Sequence, residues 1–344
     1  MHGSGLTLKV SPDSIALDQG KSGGMLMKAI VHEEYGSPDV LQLKEVEKPT
    51  PKEDQVLIKV QAASVNYSDW VYVRGKPFVA RLMGSGLLKP KNMMLGADVA
   101  GRVEAIGRNI KQFRPGDDVY GDLSVCGWGG FAEYVSVPEH AIALKPANLT
   151  FEEAAAVPQA AIVALQGLRD KGHASRQPGQ KVLINGASGG IGTFAVQIAK
   201  FLGAEVTGVC STRNLDMVRS IGADHVIDYT REDFTQNGQR YDLILDIKAY
   251  RSILDYERAL SPEGVYVLVG GSVARIIQTS MARNERMVNF QVRPNRKDLA
   301  FMTELLEAGK VVPVIDRRYP LSEIAEAVRY YGEGHSRGKV VITV

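Results

Sequence analysis

The run Lys181-Val-Leu-Ile-Asn185, then Gly186-Ala-Ser-Gly-Gly-Ile-Gly192, then Thr193-Phe-Ala-Val-Gln-Ile-Ala-Lys200 constrains the fold of this chain more than any other stretch. The first part is apolar and β-branched, which reads as a buried strand. The glycines read as a tight turn, and the third part has helical spacing. Ala187-x-Gly189-x-x-Gly192 fits a dinucleotide fingerprint with alanine in the first glycine slot. Gly189 lets the backbone approach a pyrophosphate, and Gly192 lets the new helix pack on the strand with its N-terminal amides facing the anion. A glycine pattern alone is weak, but here the strand and the helix flank it as the motif requires. Ala187, Ser188, Gly189, Gly190, Ile191 and Gly192 are therefore candidate cofactor-binding residues.

The following strand, Glu205-Val-Thr-Gly-Val209, comes after Gly203, which sits where a helix C-cap glycine belongs. NAD binding places an Asp or Glu about 20 residues past the glycines to hold the ribose 2′-hydroxyl. This chain reads Cys210-Ser211-Thr212-Arg213-Asn214 there, with no carboxylate. Ser211 and Thr212 can donate to a 2′-phosphate and Arg213 can form a charge-assisted fork on it, so the pattern favours NADPH over NADH. The plainer reading of Arg213 is a solvated loop arginine.

The 344 residues suffice for two domains, and 41 basic against 39 acidic side chains leave no charge excess to suggest nucleic acid or an anionic membrane. No apolar run approaches the ~20 residues that span a bilayer. Cys126 and Cys210 are the only cysteines, too few for a disulfide framework or a cysteine zinc site, and they suit a reducing cytoplasm. Residues 1–24 are Gly-, Ser- and polar-rich and read as an extension of unknown role, with one alternating piece, Leu6-Thr-Leu-Lys-Val10, able to pair as a strand. The globular chain is expected to begin at Met25 or Met27.

From Met27 to Leu149 the text is strand-like, in short runs such as Lys28–Val31, Gln55–Val60, Ala100–Gly107, Asp118–Gly121 and Phe131–Val137, broken by Pro and Gly clusters. This predicts a small β barrel or sandwich. Thr150-Phe-Glu-Glu153 matches a capping box, and the helix it opens should break or kink at Pro158. Alternating units follow: strands at 181–185, 205–209, 225–228, 242–246 and 265–270, helices at 191–202, 214–221 and 252–260. Such alternation predicts an α/β doubly wound parallel sheet. The last segment, 297–344, holds two helices and the apolar strand Lys339–Val344, whose expected host is the β domain.

With Val65-Asn-Tyr-Ser-Asp69, Leu95-Gly-Ala-Asp-Val-Ala-Gly101, Pro115-Gly-Asp-Asp-Val-Tyr120, Gly186 to Gly192, Ile221 to Tyr229 and Gly338-Lys-Val-Val-Ile342 in this order, the chain resembles the medium-chain dehydrogenase/reductases of the quinone oxidoreductase (zeta-crystallin-like) branch. The resemblance runs from about Met27 to Val344. It implies a GroES-like β-barrel domain, 25–149 completed by 293–344, and a Rossmann domain, 150–292, with nicotinamide and substrate meeting between them. It also implies a homodimer, often formed through the Rossmann sheet edges. Tyr229 matches a position that lays a ring near the adenosine phosphate, with strand-end packing as the alternative. Lys339 matches a lysine near the cofactor cleft, with a solvated strand lysine as the alternative. Gly270 falls in the cofactor-binding set as well.

Zinc alcohol dehydrogenases of the superfamily place Cys where this chain has Asn66 and Gly-His-Glu where it has Gly96-Ala97-Asp98. A tetrahedral zinc needs three or four protein ligands, and neither these residues nor the six scattered histidines supply them, so no metal is expected. Without a Lewis acid, the readiest hydride acceptor is one whose product anion is already delocalised, a quinone or an α,β-unsaturated carbonyl. Enoyl-thioester reductases of the superfamily often carry a proton-donating Tyr where this chain reads Arg74-Gly75-Lys76-Pro77-Phe78, which puts that alternative in doubt. Asn66 and Tyr67 are the candidate catalytic residues, against a turn role for Asn66 and packing for Tyr67. Asp69 reads as a helix cap or local partner. The loop Phe78–Leu88 is expected to roof the acceptor site. Asp246-Ile-Lys-Ala-Tyr-Arg251 replaces the small, Gly-containing turn usual near the nicotinamide ribose, so Lys248 and Tyr250 are expected at the cleft. That departure, with the missing Tyr and the N-terminal extension, leaves a second reading from another class, an NADPH-binding partner or regulatory module with little turnover. A short-chain dehydrogenase would need Tyr-x-x-x-Lys downstream of the glycines, and the only match, Tyr72 to Lys76, lies upstream.

Overall fold

A computed structural model describes residues 24–78, 81, 86–174, 178–270, 273–281, 285–289 and 291–344. The predicted strand at Leu6–Val10 lies outside these residues, and so does most of the loop between Phe78 and Gly86.

Strand β1 (Leu26–Val31) pairs antiparallel with β2 (Gln42–Glu47). The longest strand, β3 (Gln55–Val65), then enters helix α1 (Tyr67–Arg74), and β4 (Asp98–Ile106), β5 (Asp118–Asp122), β6 (Tyr134–Pro138) and β7 (Ile142–Leu144) follow. Among the described residues they form one sheet with two strands from the far end of the chain, β14 (Ile315–Pro320) and β15 (Lys339–Thr343), in the order β14-β15-β3-β4-β5-β7, with β6 also paired to β3. The host of the terminal strand is the one its sequence demands. Val340, Val341 and Ile342 are fully buried against β3, and burying each such side chain stabilises by about 1.5–3 kcal/mol.

Thr150 and Glu153 close the expected capping box, with Glu153 N donating to Thr150 Oγ1 at 3.2 Å and Thr150 N to Glu153 Oε2 at 2.8 Å. Helix α2 (Phe151–Ala155) ends before Pro158, which opens α3 (Pro158–Leu165) at the position where a missing N–H costs least.

The second sheet is parallel throughout, in the order β10-β9-β8-β11-β12-β13. Its strands are β8 (Lys181–Asn185), β9 (Glu205–Cys210), β10 (His225–Asp228), β11 (Tyr241–Asp246), β12 (Leu260–Leu268) and β13 (Met287–Asn289). Helices α4 (Gly190–Phe201), α5 (Leu215–Ser220), α6 (Ile253–Ala259) and α7 (Val273–Met281) connect them. The chain winds outward from β8 to β10 and returns beside β8 with β11, so the strand order reverses between β8 and β11. Ligands of such sheets bind in the crevice outside that switch point.

Helix α8 (Arg296–Glu307) buries Leu299, Met302, Leu305 and Leu306 in one core with Phe194 and Ile198 of α4. Tyr120 of β5 donates to Leu299 O at 3.1 Å and meets Thr303 Oγ1 at 2.8 Å, so the first, mainly antiparallel sheet is tied directly to this helix. Helix α9 (Ile324–Gly332) lies between β14 and β15 in the chain.

Several elements differ from the expected text. β2, β7, β13, β14 and α7 are not legible as such in the sequence, and β12 begins at Leu260 rather than 265. β2 alternates only between exposed and half-buried positions, and β13 is three residues long, so neither carries the hydrophobic signature of a strand.

Candidate functional site

The Gly186–Gly192 turn leaves β8 with Gly186 at φ +96, a conformation that favours glycine. Gly189 caps α4, and a Cβ on Gly192 would stand 2.1 Å from the Gly186 carbonyl oxygen. The backbone can make this turn only without that side chain. Ala187 is fully buried and its N–H bonds Val209 O at 3.0 Å, which fastens the turn to β9. On the other side Gly338 N donates to Ser188 O at 2.9 Å, so the segment leading into β15 lies on the turn.

Two cavities meet over this turn. The first, about 240 Å³, is walled by Asn66, Tyr67, Trp70, Val163, Ile191 and Lys339, with Gly189 and Gly190 at its floor. The second, about 310 Å³, is walled by Ser188, Ser211, Arg213, Asn214, Tyr229 and His335. Gly186, Gly189, Lys248, Gly334 and Ser336 line both.

Most of the residues singled out in the sequence stand on these walls; Ala187, Gly192, Thr212 and Gly270 do not. Gly192 acts through the close packing of α4 on the turn. Ala187 works beneath the turn. Thr212 turns away from the second cavity and donates to Asp228 Oδ2, with Thr230 Oγ1 at 3.3 Å. Gly270 follows the end of β12 and lines neither cavity; a Cβ there would meet Ile247 O at 3.5 Å. A carboxylate therefore does stand beside the end of β9. It comes from the neighbouring strand, where Asp228 pairs in register with Cys210, and bonds from Thr212 and Thr230 hold it below the usual carboxylate range. Tyr67 is 55% exposed at the cavity rather than packed in a core, and Tyr229 is 47% exposed.

Arg213 donates to the His335 carbonyl at 2.6 Å, and Arg337 donates to the Arg213 carbonyl at 3.0 Å, placing two guanidinium groups at one rim. Asn214 donates to Ser188 Oγ at 3.0 Å, while its own Oδ1 is buried without a hydrogen-bond partner. A buried acceptor left open costs free energy, and a ribose hydroxyl in this cavity would satisfy it. With the amides at the start of α4, these features fit an adenine dinucleotide phosphate.

The 247–251 turn winds round a buried carboxylate. Asp246 Oδ1 accepts from Asn185 Nδ2 at 2.8 Å and Ala249 N at 2.8 Å, and Oδ2 accepts from Tyr266 OH at 2.7 Å. These bonds hold Ala249 at φ +51. Lys248 consequently lies over Gly186 where the cavities join, and burial lowers its pKa.

The first cavity is backed by a buried polar network. Asn66 N donates to Asp69 Oδ2 at 2.8 Å, which starts α1, and Gly96 N donates to Asp69 Oδ1 at 3.0 Å. Burial pushes Asp69 up to about 7, against these two bonds. Lys339, only 3% exposed, donates from Nζ to Asn66 Oδ1 at 2.5 Å and to Asp98 Oδ2 at 3.1 Å. It is no solvated strand lysine. Asp98 Oδ2 also accepts from Ser64 Oγ at 2.8 Å and Asn66 Nδ2 at 3.0 Å, and Oδ1 accepts from Gln159 N at 2.9 Å. Asp122, opposite Asp98 in the β4–β5 ladder, is pushed up to about 6 by burial and by the Asp98 charge. In the sequence Asp98 reads only as a failed zinc ligand, and neither Asn214 nor the Gly334–Ser336 loop stands out. The available signals were an Asp inside an apolar strand and a Gly-rich stretch before a terminal one.

A parallel sheet with a glycine turn at its switch point, closed by a mainly antiparallel lobe, defines a two-lobed dinucleotide-binding protein. Residues 52–147 match the family described as alcohol dehydrogenase GroES-like domain, and residues 221–342 match the zinc-binding dehydrogenase family. The chain is 38% identical over 327 residues to a 2-methylene-furan-3-one reductase of Solanum lycopersicum, covering 92% of this chain and 79% of the relative. It is 34% identical over 327 residues to the NADPH-dependent alkenal/one oxidoreductase, chloroplastic, of Arabidopsis thaliana, with 92% and 79% covered. The solved quinone oxidoreductase from Coxiella burnetii superposes with a TM-score of 0.82 at 31% identity, covering 93% of this chain and 100% of that one. The chain belongs to the medium-chain dehydrogenase/reductase superfamily, in its zinc-free quinone oxidoreductase branch.

The zinc in one family description finds no fit in these residues. Both Asp98 oxygens are already bonded, and the Lys339 ammonium occupies the position of a neutralising cation. Among the described residues no group of three or more His, Cys, Asp or Glu side chains is placed to hold a metal. No helix among them is long and apolar enough to cross a membrane.

Proposed function

We propose that this chain is an NADPH-dependent reductase that passes a hydride to a quinone or an α,β-unsaturated carbonyl compound. The observation carrying this reading is the first cavity: apolar walls from Val65, Trp70, Val163 and Ile247 open directly onto Gly189–Ile191, and Asn66 and Lys339 face it as polar groups. Named relatives act on alkenals and quinones, which agrees. NADPH, when bound, supplies the hydride. The α4 amides from Gly190 to Gly192, with Ser188, Gly189 and Lys248, would hold the diphosphate. Ser211 and Arg213 would take the 2′-phosphate, and Tyr229 the adenosine side. Thr212 would act indirectly by fastening Asp228, Ala187 by anchoring the turn, and Gly270 by leaving room beside Ile247. Asn66 and Lys339 would face the nicotinamide and the acceptor carbonyl, with Tyr67 closing the rim. Such a cleft need only position a conjugated acceptor and exclude water.

Further assignments belong to the same reading. Residues 25–149 and 293–344 are taken as the catalytic lobe and 150–292 as the nucleotide lobe. A homodimer would form at the β13 edge, where Ile276, Ile277 and Met281 of α7 are exposed; light scattering checks it. A cytoplasmic location suits two free cysteines, although a relative is named chloroplastic, and cell fractionation decides.

The test is NADPH consumption with a panel of quinones, alkenals and simple ketones. Turnover on quinones or alkenals and none on ketones is expected. Saturable NADPH binding with no turnover on any acceptor would replace the enzyme by a binding module.

A further inference from the structure

We propose that Lys339 is the proton donor of this reaction, its Nζ–H going to the enolate that forms when a conjugated carbonyl is reduced. The inference rests on the reductase reading above and adds the group that completes the chemistry.

Lys339 opens β15 and its stem passes along the glycine turn, where a Cβ on Gly190 would stand 3.0 Å from Lys339 Cδ. Its ammonium is held from below by Asn66 Oδ1 and Asp98 Oδ2 and lines the first cavity. An ammonium has three N–H groups and a neutral amine has two. Among the described residues, Nζ gives two hydrogen bonds, so the third proton can leave toward the cavity without breaking either.

The step balances as follows. When the β-carbon receives the hydride that NADPH would supply, the C=C π pair shifts to join the α-carbon and the carbonyl carbon and the C=O π pair moves onto oxygen; one Lys339 N–H bond then breaks, its electron pair staying on nitrogen, and the proton goes to the enolate. The neutral amine stays bonded to Asn66 and Asp98. The Asp98 carboxylate, left uncompensated in a buried site, then draws a proton back from solvent as product leaves. Asp122 faces Asp98 across the ladder, Asp69 accepts from the Asn66 backbone, and Lys248 lines the same cavity. Competing donors are poorer. Burial pushes the Tyr331 phenol well above its ordinary value, and Tyr67 stands half in solvent at the rim. Lys248 lies over Gly186 where the cavities join, whereas Lys339 is bonded to Asn66 and Asp98.

The test compares Lys339→Met and Lys339→Arg on a cyclic enone and a cyclic nitroalkene. The nitroalkene gives a nitronate, an anion stable enough to leave unprotonated. Arginine keeps the positive charge and its donors but is too weak an acid to replace the proton. General acid catalysis contributes roughly 10²–10⁴-fold, so both variants should lose at least about 100-fold in enone kcat. On the nitroalkene they should lose under about tenfold and release nitronate. The NADPH dissociation constant, followed by nicotinamide fluorescence, should move less than tenfold in Lys339→Arg, which also reports folding. Equal loss on both acceptors, or enone turnover restored by arginine, would reduce Lys339 to a positioning charge and overturn the proposal. If the unaltered protein consumes NADPH with neither acceptor, the reductase reading itself has failed, and that is seen before any variant is compared.

Discussion

Replacing Arg213 by alanine should separate the two nicotinamide cofactors. The guanidinium stands at the rim of the second cavity beside Ser211, with Nη2 bonded to the His335 carbonyl at 2.6 Å and its other N–H groups available to an anion. A hydrogen bond to a charged group contributes about 1.5–3 kcal/mol. Arg213 is exposed, so solvent and salt screen the interaction and the lower end applies, about 1.5 kcal/mol, or roughly 10–15-fold in the dissociation constant. A confounding effect can be computed away. Arg213 also steadies the Gly334–Ser336 loop, which lines both cavities, so loosening that loop weakens NADPH and NADH alike. The ratio of the two dissociation constants isolates the 2′-phosphate contribution. Titrating each cofactor by nicotinamide fluorescence should show that ratio collapse in Arg213→Ala, with a smaller collapse at high ionic strength. Equal weakening of both cofactors would refute the assignment of Arg213 to the phosphate.

Lys248→Met should weaken NADPH and NADH by the same factor, about tenfold, because the diphosphate is common to both; a loss confined to NADPH would move Lys248 to the 2′-phosphate. Gly192→Ala places a Cβ 2.1 Å from a backbone oxygen that cannot retreat. It should cost about 1–3 kcal/mol of stability and abolish saturable NADPH binding, and an unchanged melting temperature would refute the close-packing argument. Asp69 is pushed up to about 7 in the folded chain, so its protonated form favours folding. That contribution is complete at acid pH below the unfolded value and is lost as pH rises through 7. The stability difference between the unaltered protein and Asp69→Asn, from urea unfolding, should therefore shift against the unaltered protein between about pH 4 and 7. Its slope should be at most about 1.4 kcal/mol per unit, and a flat difference would show that Asp69 carries no such shift.

What the chain discloses about itself follows from how far each interaction reaches. The glycine turn, the Thr150 capping box and the break at Pro158 are set by residues within a few positions of one another, so the sequence text carries them almost whole. The parallel sheet is legible because strand and helix periods alternate over a hundred residues. The β15 strand could be assigned to the antiparallel lobe because three consecutive apolar residues need a partner. The proton-handling network could not be read. Lys339 and Asn66 meet across 273 positions and Lys339 and Asp98 across 241, and each looks ordinary in its own neighbourhood: a lysine at a strand edge, an asparagine before a helix, an aspartate that fails as a zinc ligand. Only the pairing of β15 with β3, and of β3 with β4, brings the three together. Asn66 and Asp98, which stand where zinc relatives carry ligands, here hold the Lys339 ammonium, a buried cation able to answer the negative charge that hydride transfer leaves on oxygen.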